Sequence, residues 1–327
     1  MSPINPLSSL PTDGIARLSS LALITVSGAD AIQFLHSQLT NDIQALADNQ
    51  ACLAGYCTPK GRLLATAIAW KTGDTVTLEV PAEIRENLQK RLQMYVLRSR
   101  VTLENRTASV SVLGIFGEGA ALKLAEWFPM LPAAPNQLVH NKSGVLLRLT
   151  DVTGIKRYQW IAPLALADQV YPTLSRQISV VPEQSWALSD IHGGIPQILP
   201  TTQEKFVPQM INYELIGGVN FKKGCYPGQE IVARSQYLGK QKRRMVLASI
   251  PSATVQSGME LFSATDSSEP CGMIVNAAPN ARGGSDCLIE MKTSFLQNAT
   301  VQLGTGEVCQ WMELPYPLPR DGDGVTS

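Results

Sequence analysis

The sequence predicts an α+β protein that ends in an all-β domain. Three observations lead there. Strand-like runs alternate with amphipathic helical stretches as far as about residue 236. Beyond Tyr237 only short apolar runs separated by turn residues remain. The chain has 327 residues, 44% of them hydrophobic, which is too long for a typical single domain and apolar enough for more than one core.

The elements follow in order. Leu21–Ser27 reads as a strand, and Gly28 turns the chain into a helix over 29–39, where Ile32, Phe34, Leu35 and Leu39 recur at near-helical spacing. Thr40-Asn41-Asp42 offers cap chemistry for a short helix over 43–46. Residues 51–56, 63–70 and 75–80 read as strands, with turns at Pro59-Lys60-Gly61 and Thr72-Gly73-Asp74. Pro81 opens an amphipathic helix over 82–96, with Ile84, Leu88, Leu92 and Tyr95 on its apolar face. Strands are expected over 101–103 and Val110–Phe116, then a short helix over 120–127 and a Pro-rich loop. Strands over 145–149 and 157–162 precede helices over 165–176 and 185–191, the second stopped by Gly193-Gly194 and Pro196. Another helix is expected over 229–235. The last domain, 237–314, holds strand candidates at 244–250, 259–262, 271–276, 287–291, 300–303 and 308–312, which suits a small barrel or sandwich. Residues 315–327 read as a flexible tail.

Charge and cysteine usage narrow the function. Twenty-seven basic residues balance twenty-seven acidic ones, which argues against a charge-driven grip on nucleic acid. Six cysteines show no disulfide framework, so a reducing compartment, the cytoplasm, is expected. Cys52 and Cys57 lie close in sequence, yet no His or Cys pair nearby completes the set of about four ligands that a metal needs. The first fourteen residues have neither the basic start nor the apolar run of a signal peptide. No segment approaches the ~18 apolar residues of a membrane span.

The run Lys222-Lys223-Gly224-Cys225-Tyr226-Pro227-Gly228-Gln229-Glu230 is where chemistry concentrates. Two glycines let the loop adopt unusual backbone angles. A helix beginning near Gln229 would turn its positive end toward Cys225, and two lysines add charge. These features favour a reactive thiolate over an inert buried thiol. The histidines, His36, His140 and His192, show no local catalytic motif. Lys240, Lys242, Arg243 and Arg244 form either a solvated strand edge or an anion-binding surface for RNA phosphates or a polyglutamate tail. Trp186, ahead of Gly193-Gly194-Ile195-Pro196, is either a core tryptophan or a platform for a flat heterocycle.

The stretch FKKGCYPGQEIVAR, residues 221–234, resembles the hallmark K-G-C-Y-x-G-Q-E motif of the YgfZ family, folate-binding proteins linked to iron–sulfur enzymes and tRNA modification. Ser27-Gly28-Ala29-Asp30 with Phe34-Leu35, Gln38 and Thr40-Asn41-Asp42 is similar to the family's N-terminal stretch. So are Tyr95-Val96-Leu97-Arg98-Ser99-Arg100-Val101 to its central junction and Phe206-Val207-Pro208-Gln209 with Asn212 to the segment before the motif. The resemblance covers nearly the whole chain from about residue 20. It implies the fold of the glycine-cleavage T-protein, with two interleaved α+β subdomains forming a folate-binding region over 1–236 and a C-terminal β-barrel.

The same resemblance implies tetrahydrofolate, or another reduced folate, as cofactor. It implies Cys225 as a redox or adduct-forming thiol, Lys223 as its partner, and Trp186, Leu21, Tyr226, Gln229 and Glu230 as folate-side residues. Some family members carry an aromatic where Leu21 stands. Iron–sulfur enzymes, including tRNA-thiolating ones, are the implied functional partners, with no membrane. The T-protein's paired aspartates fall at Ala65 and Thr66, which cannot replace a carboxylate. An accessory factor is therefore expected rather than an aminomethyltransferase. A tetrahydrofolate-dependent one-carbon transferase and a direct tRNA-binding module remain the alternatives.

Overall fold

The computed structural model describes residues 10–237, 241–296 and 299–319. The chain opens with strand β1 (Gly14–Arg17), then β2 (Leu21–Ser27), helix α1 (Ala31–Gln38), β3 (Ala51–Cys57), β4 (Leu63–Thr72), β5 (Thr75–Pro81), α2 (Ala82–Met94) and β6 (Thr102–Asn105). It continues with β7 (Val110–Phe116), α3 (Glu118–Leu122), β8 (Leu138–Asn141), β9 (Gly144–Val152), β10 (Ile155–Pro163), α4 (Leu164–Leu174), α5 (Glu183–His192) and α6 (Gln229–Tyr237). Six strands follow: β11 (Arg243–Ile250), β12 (Glu260–Ser263), β13 (Gly272–Pro279), β14 (Ser285–Lys292), β15 (Val301–Leu303) and β16 (Gln310–Met312).

Three antiparallel sheets result. The first has the order β1-β7-β10-β9-β8 and the second β3-β4-β5-β2-β6. β1 thus pairs with β7, on the far side of the entire second sheet in the sequence. Each sheet buries one face under helices. Ile84, Leu88 and Leu92 of α2 press on the second sheet, and Ala167, Val170 and Leu174 of α4 on the first. The other faces meet in a shared core that includes Leu21, Leu23, Trp70, Phe116, Leu147, Ile161 and Trp186. This two-sided burial explains why the central strands read as apolar runs rather than strict alternation.

The third sheet, β15-β12-β13-β14-β11-β16, is curled. Edge strand β15 meets the segment just before the other edge strand, β16, where Gln302 bridges Val308 and the Cys309 N–H donates to the Val301 carbonyl. Buried polar contacts fasten it to the rest. His192 Nε2 on α5 lies 2.7 Å from Asp286 Oδ2 on β14. Asn212, in the left-handed region at φ 56°, exchanges hydrogen bonds with the Met245 backbone. Tyr316 donates to the Gly194 carbonyl, with its ring over the space a Cβ would need there.

Some expectations need correction. No helix forms over 43–46; Asp42 Oδ1 accepts from the Ala45 N–H, and that local turn replaces it. Helix α2 stops at Met94, so Tyr95 projects into solvent instead of joining the apolar face. β1 and β8 were not expected and are short edge strands of the first sheet. Among the described residues no helix is long and apolar enough to cross a membrane.

Candidate functional site

A cavity opens where the first and second sheets face each other beside α5. Leu21, Thr66, Ile68 and Glu79 come to it from the second sheet, Leu149 and Gln159 from the first, and Trp186 and Asp190 from α5. Ile195 and Pro196, just after α5, complete an apolar wall.

Trp186 is 4% exposed and locked on three sides. Gly114 lies beneath it, where an added Cβ would stand 2.5 Å from the indole. Phe116 meets its edge at 5.2 Å between ring centroids, and the Arg157 guanidinium lies over the ring at 5.1 Å. Trp186 is therefore the core tryptophan of one sequence reading, and it also borders the cavity. Leu21 shares the cavity, with an aliphatic side chain where the resemblance looked for an aromatic one.

Arg157 is fully buried and holds Asp190 at 2.7 Å, with further bonds to Ser189 Oγ and the Thr150 carbonyl. Burial raises the Asp190 carboxyl, and Arg157 pulls it back only in part. Thr66 accepts the Ile198 N–H at 3.0 Å, while Ala65 is buried in the helix-covered core of the second sheet.

The carboxylate that sequence reasoning missed is Glu79. It sits on central strand β5, opposite Leu23 and Ile68, and is 3% exposed. Burial pushes its pKa up to about 8; a hydrogen bond from the Gln159 side chain works against this, and nearby Asp190 adds to it. Glu79 Oε2 and Gln159 Oε1 are both buried without a hydrogen-bond partner. The available signal was an acid between Leu78 and Val80 in a strand with apolar residues on both faces.

The thiol loop is a separate place. Cys225 is exposed, whereas the other five cysteines are buried or half-buried. Burial pushes Cys52 and Cys57 up to about 12. Gly228 has φ 81°, and a Cβ there would strike the Thr58 carbonyl at 2.4 Å, so only glycine lets the loop dock on the turn between β3 and β4.

Lys223 is buried, and its ammonium donates to the carbonyls of His36 and Leu39 at the end of α1. It also lies 4.9 Å from the centre of the Tyr226 ring. The sequence did not show this capping arrangement. Burial lowers its pKa to about 8, against the pull of Asp42 and Cys225. Tyr226 is buried, Gln229 reaches the Lys223 carbonyl at 3.5 Å, and Glu230 is exposed on the first turn of α6. His36 adjoins the loop: a Cβ on Gly224 would lie 3.4 Å from its Nε2. Burial and Lys223 hold His36 low, while Asp42, 3.2 Å from its Nδ1, opposes them.

Of the expected residues, then, Leu21 and Trp186 line the cavity. Lys223, Cys225, Tyr226, Gln229 and Glu230 gather at the loop and do not line it. Strand β3 connects the two places. Leu53 borders the cavity, and the strand ends at Cys57, next to the Thr58 carbonyl on which Gly228 of the loop docks. Four strand residues span about 13 Å. In the basic cluster, Arg243 pairs with buried Glu290, and Arg244 with buried Glu214. Lys242 is exposed, and Lys240 lies outside the described residues. Half of the expected anion-attracting charge is thus neutralised internally.

Comparison with known proteins agrees with this architecture. The family model described as the GCVT N-terminal domain matches residues 12–139. The solved glycine cleavage system aminomethyltransferase T of Bartonella henselae superposes with a TM-score of 0.77, covering 95% of this chain and 88% of that one. At 16% identity that likeness shows the fold alone. The tRNA-modifying protein YgfZ of Photorhabdus laumondii is 34% identical over 243 residues, 73% of this chain and 72% of the relative. The Escherichia coli protein of the same name is 31% identical over 248 residues, 76% and 75% of the two chains. On that identity and coverage, the chain belongs to the YgfZ family of tRNA-modifying proteins.

Proposed function

We propose that this protein binds a reduced folate in the cavity beside Trp186 and, with the exposed Cys225 thiol, supports iron–sulfur enzymes that modify tRNA. The observation that carries the reading is the cavity itself: an apolar wall with a locked tryptophan, and unpartnered acceptors on Glu79 and Gln159. That is the chemistry of a site for a flat heterocycle bearing N–H donors.

Trp186, Leu21, Ile195 and Pro196 would enclose the ring and exclude water, while Glu79 and Gln159 would orient it. A bound tetrahydrofolate would supply a nitrogen able to carry or accept a one-carbon unit. Thr66 offers no carboxylate where the T-protein has one, which favours an accessory role over aminomethyl transfer. The name shared by the relatives supports the tRNA-modification side of the reading. Cys225 is the exposed thiol able to meet an external partner, the other five being buried or half-buried. Tyr226, Gln229 and Glu230 we assign to that loop rather than to the folate. The pairing of β1 with β7 supports a division into two interleaved subdomains before residue 237 and a barrel-like unit after it. Six unpaired thiols suit the cytoplasm.

The test is complementation in a strain lacking this gene. Wild type is expected to restore tRNA thiolation, and Cys225→Ala and Trp186→Ala to fail despite normal protein levels. Full restoration by both variants would remove the proposal.

A further inference from the structure

Two segments that stand out in the sequence, residues 28–30 and 95–101, belong to neither the cavity nor the thiol loop, and they meet. The Arg100 N–H donates to Asp30 Oδ2 at 2.8 Å. A Cβ on Gly28, at φ 114°, would stand 2.2 Å from the Arg100 carbonyl. This clamp holds the turn after α2, where Leu97 is 86% exposed and takes φ 46°. A leucine held in the left-handed region is strained, and such strain gathers where ligands are clamped. Met94 and Tyr95 beside it are exposed too. Basic charge surrounds them. In a chain of zero net charge, residues 82–100 hold Arg85, Lys90, Arg91, Arg98 and Arg100 against only Glu83 and Glu86. Lys90 pairs with Glu86 and Arg100 with Asp30, while among the described residues Arg91 and Arg98 have no acidic partner. Along this flank of α2 runs a groove of about 300 Å³, lined by Tyr56, Lys90, Arg91 and Met94, with Glu204 the one acid on its wall. Arg91 Nε is buried without an acceptor.

We propose that the end of α2 and the turn after it form a docking surface for single-stranded RNA, such as the loop of a folded tRNA. Arg91 and Arg98 meet the phosphates. Tyr95, flanked by Met94 and Leu97, offers the face on which an unpaired base stacks. Cations free of acids beside an exposed ring are what single-strand binding requires, and this otherwise neutral chain gathers them here. The Lys240–Arg244 cluster does not match it, because Arg243 and Arg244 are already paired. The groove shares no lining residue with the cavity, so this surface serves with or without a folate. It lies against the end of β3. Tyr56 bridges Leu39, whose carbonyl Lys223 caps, and the thiol loop docks at Thr58 two residues further on. RNA held on α2 is thus brought toward the end of β3 that also carries the Cys225 loop.

The experiment is fluorescence anisotropy of a labelled, unmodified tRNA transcript titrated with the full chain at several salt concentrations, with a blunt RNA duplex as control. Wild type is expected to bind the tRNA at low salt, more tightly than the duplex, with log affinity falling linearly in log salt. Arg91→Ala combined with Arg98→Ala should make that slope shallower by about 1.4, at ~0.7 for each phosphate contact to a single strand. Tyr95→Ala should weaken binding about 5- to 150-fold, the loss of one stacked base, and leave the slope unchanged. Lys242→Ala, in the other basic cluster, should change neither. Should the double variant not fold, the surface substitution Arg98→Glu serves, and it should lower both affinity and slope. Equal binding by wild type and these variants, equal binding of tRNA and duplex, or a loss caused by Lys242→Ala alone would overturn the assignment. Absence of tRNA binding at low salt would overturn it as well. If Arg98→Glu then still failed to restore tRNA thiolation in a strain lacking this gene, the face would serve a protein partner instead.

Discussion

Glu79 shows what a single residue concedes to function. An apolar side chain on β5 would pack between two sheets without cost, whereas an acid there has lost its water. Its pKa rises from 4.5 to about 8 through burial. Between those values the folded chain holds a proton that the unfolded chain has released, so stability falls as pH rises across that window. Glu79→Gln does not titrate. It is expected to match wild type near pH 5 and to be more stable near pH 8 by roughly 1–3 kcal/mol. Thermal unfolding at the two pH values checks this, and parallel pH dependence in both proteins would contradict the assignment. Cys225 was legible in the sequence because its surroundings are local in the chain: two glycines, two lysines and the following helix. Glu79 was not, because its environment is made by Gln159 and Asp190, remote in sequence.

At the scale of elements, the thiol loop and α1 stabilise each other. An α-helix ends with carbonyls that lack internal partners. Those of His36 and Leu39 receive the Lys223 ammonium. Lys223→Met should orphan both, costing about 1–3 kcal/mol in urea unfolding. A change within about 0.5 kcal/mol, the usual spread for an innocuous surface substitution, would show that the cap is unimportant. Most elements were readable from periodicity. Leu21–Ser27 and Val110–Phe116 match to the residue, and every expected C-terminal strand is present within a few residues. β1 and β8 escaped because four-residue edge strands carry too little alternation to stand out. The stretch after Asp42 misled because good cap chemistry also serves a turn, and a few residues cannot meet the cost of helix nucleation.

The whole molecule is three sheets joined by apolar cores and a few buried polar ties, with the cavity at the meeting of the first two. The K-G-C-Y-x-G-Q-E motif made the family legible before any geometry. The geometry then separated two roles that the motif had merged. Tyr226, Gln229 and Glu230 belong to the Cys225 loop, and Trp186 and Leu21 to a cavity about one short strand away, roughly 13 Å along β3. That separation was hidden because the cavity is lined from β2, β10 and α5, which are remote from one another in sequence, while the loop docks on the turn after β3. It also sets the central claim, that the cavity holds folate and Trp186 is its wall. The most direct measurement is intrinsic tryptophan fluorescence of purified protein titrated with 5-formyltetrahydrofolate, in wild type and Trp186→Ala. A saturable one-site change in wild type that disappears in the variant is the predicted result. The same change in the variant, or none in wild type, would contradict it.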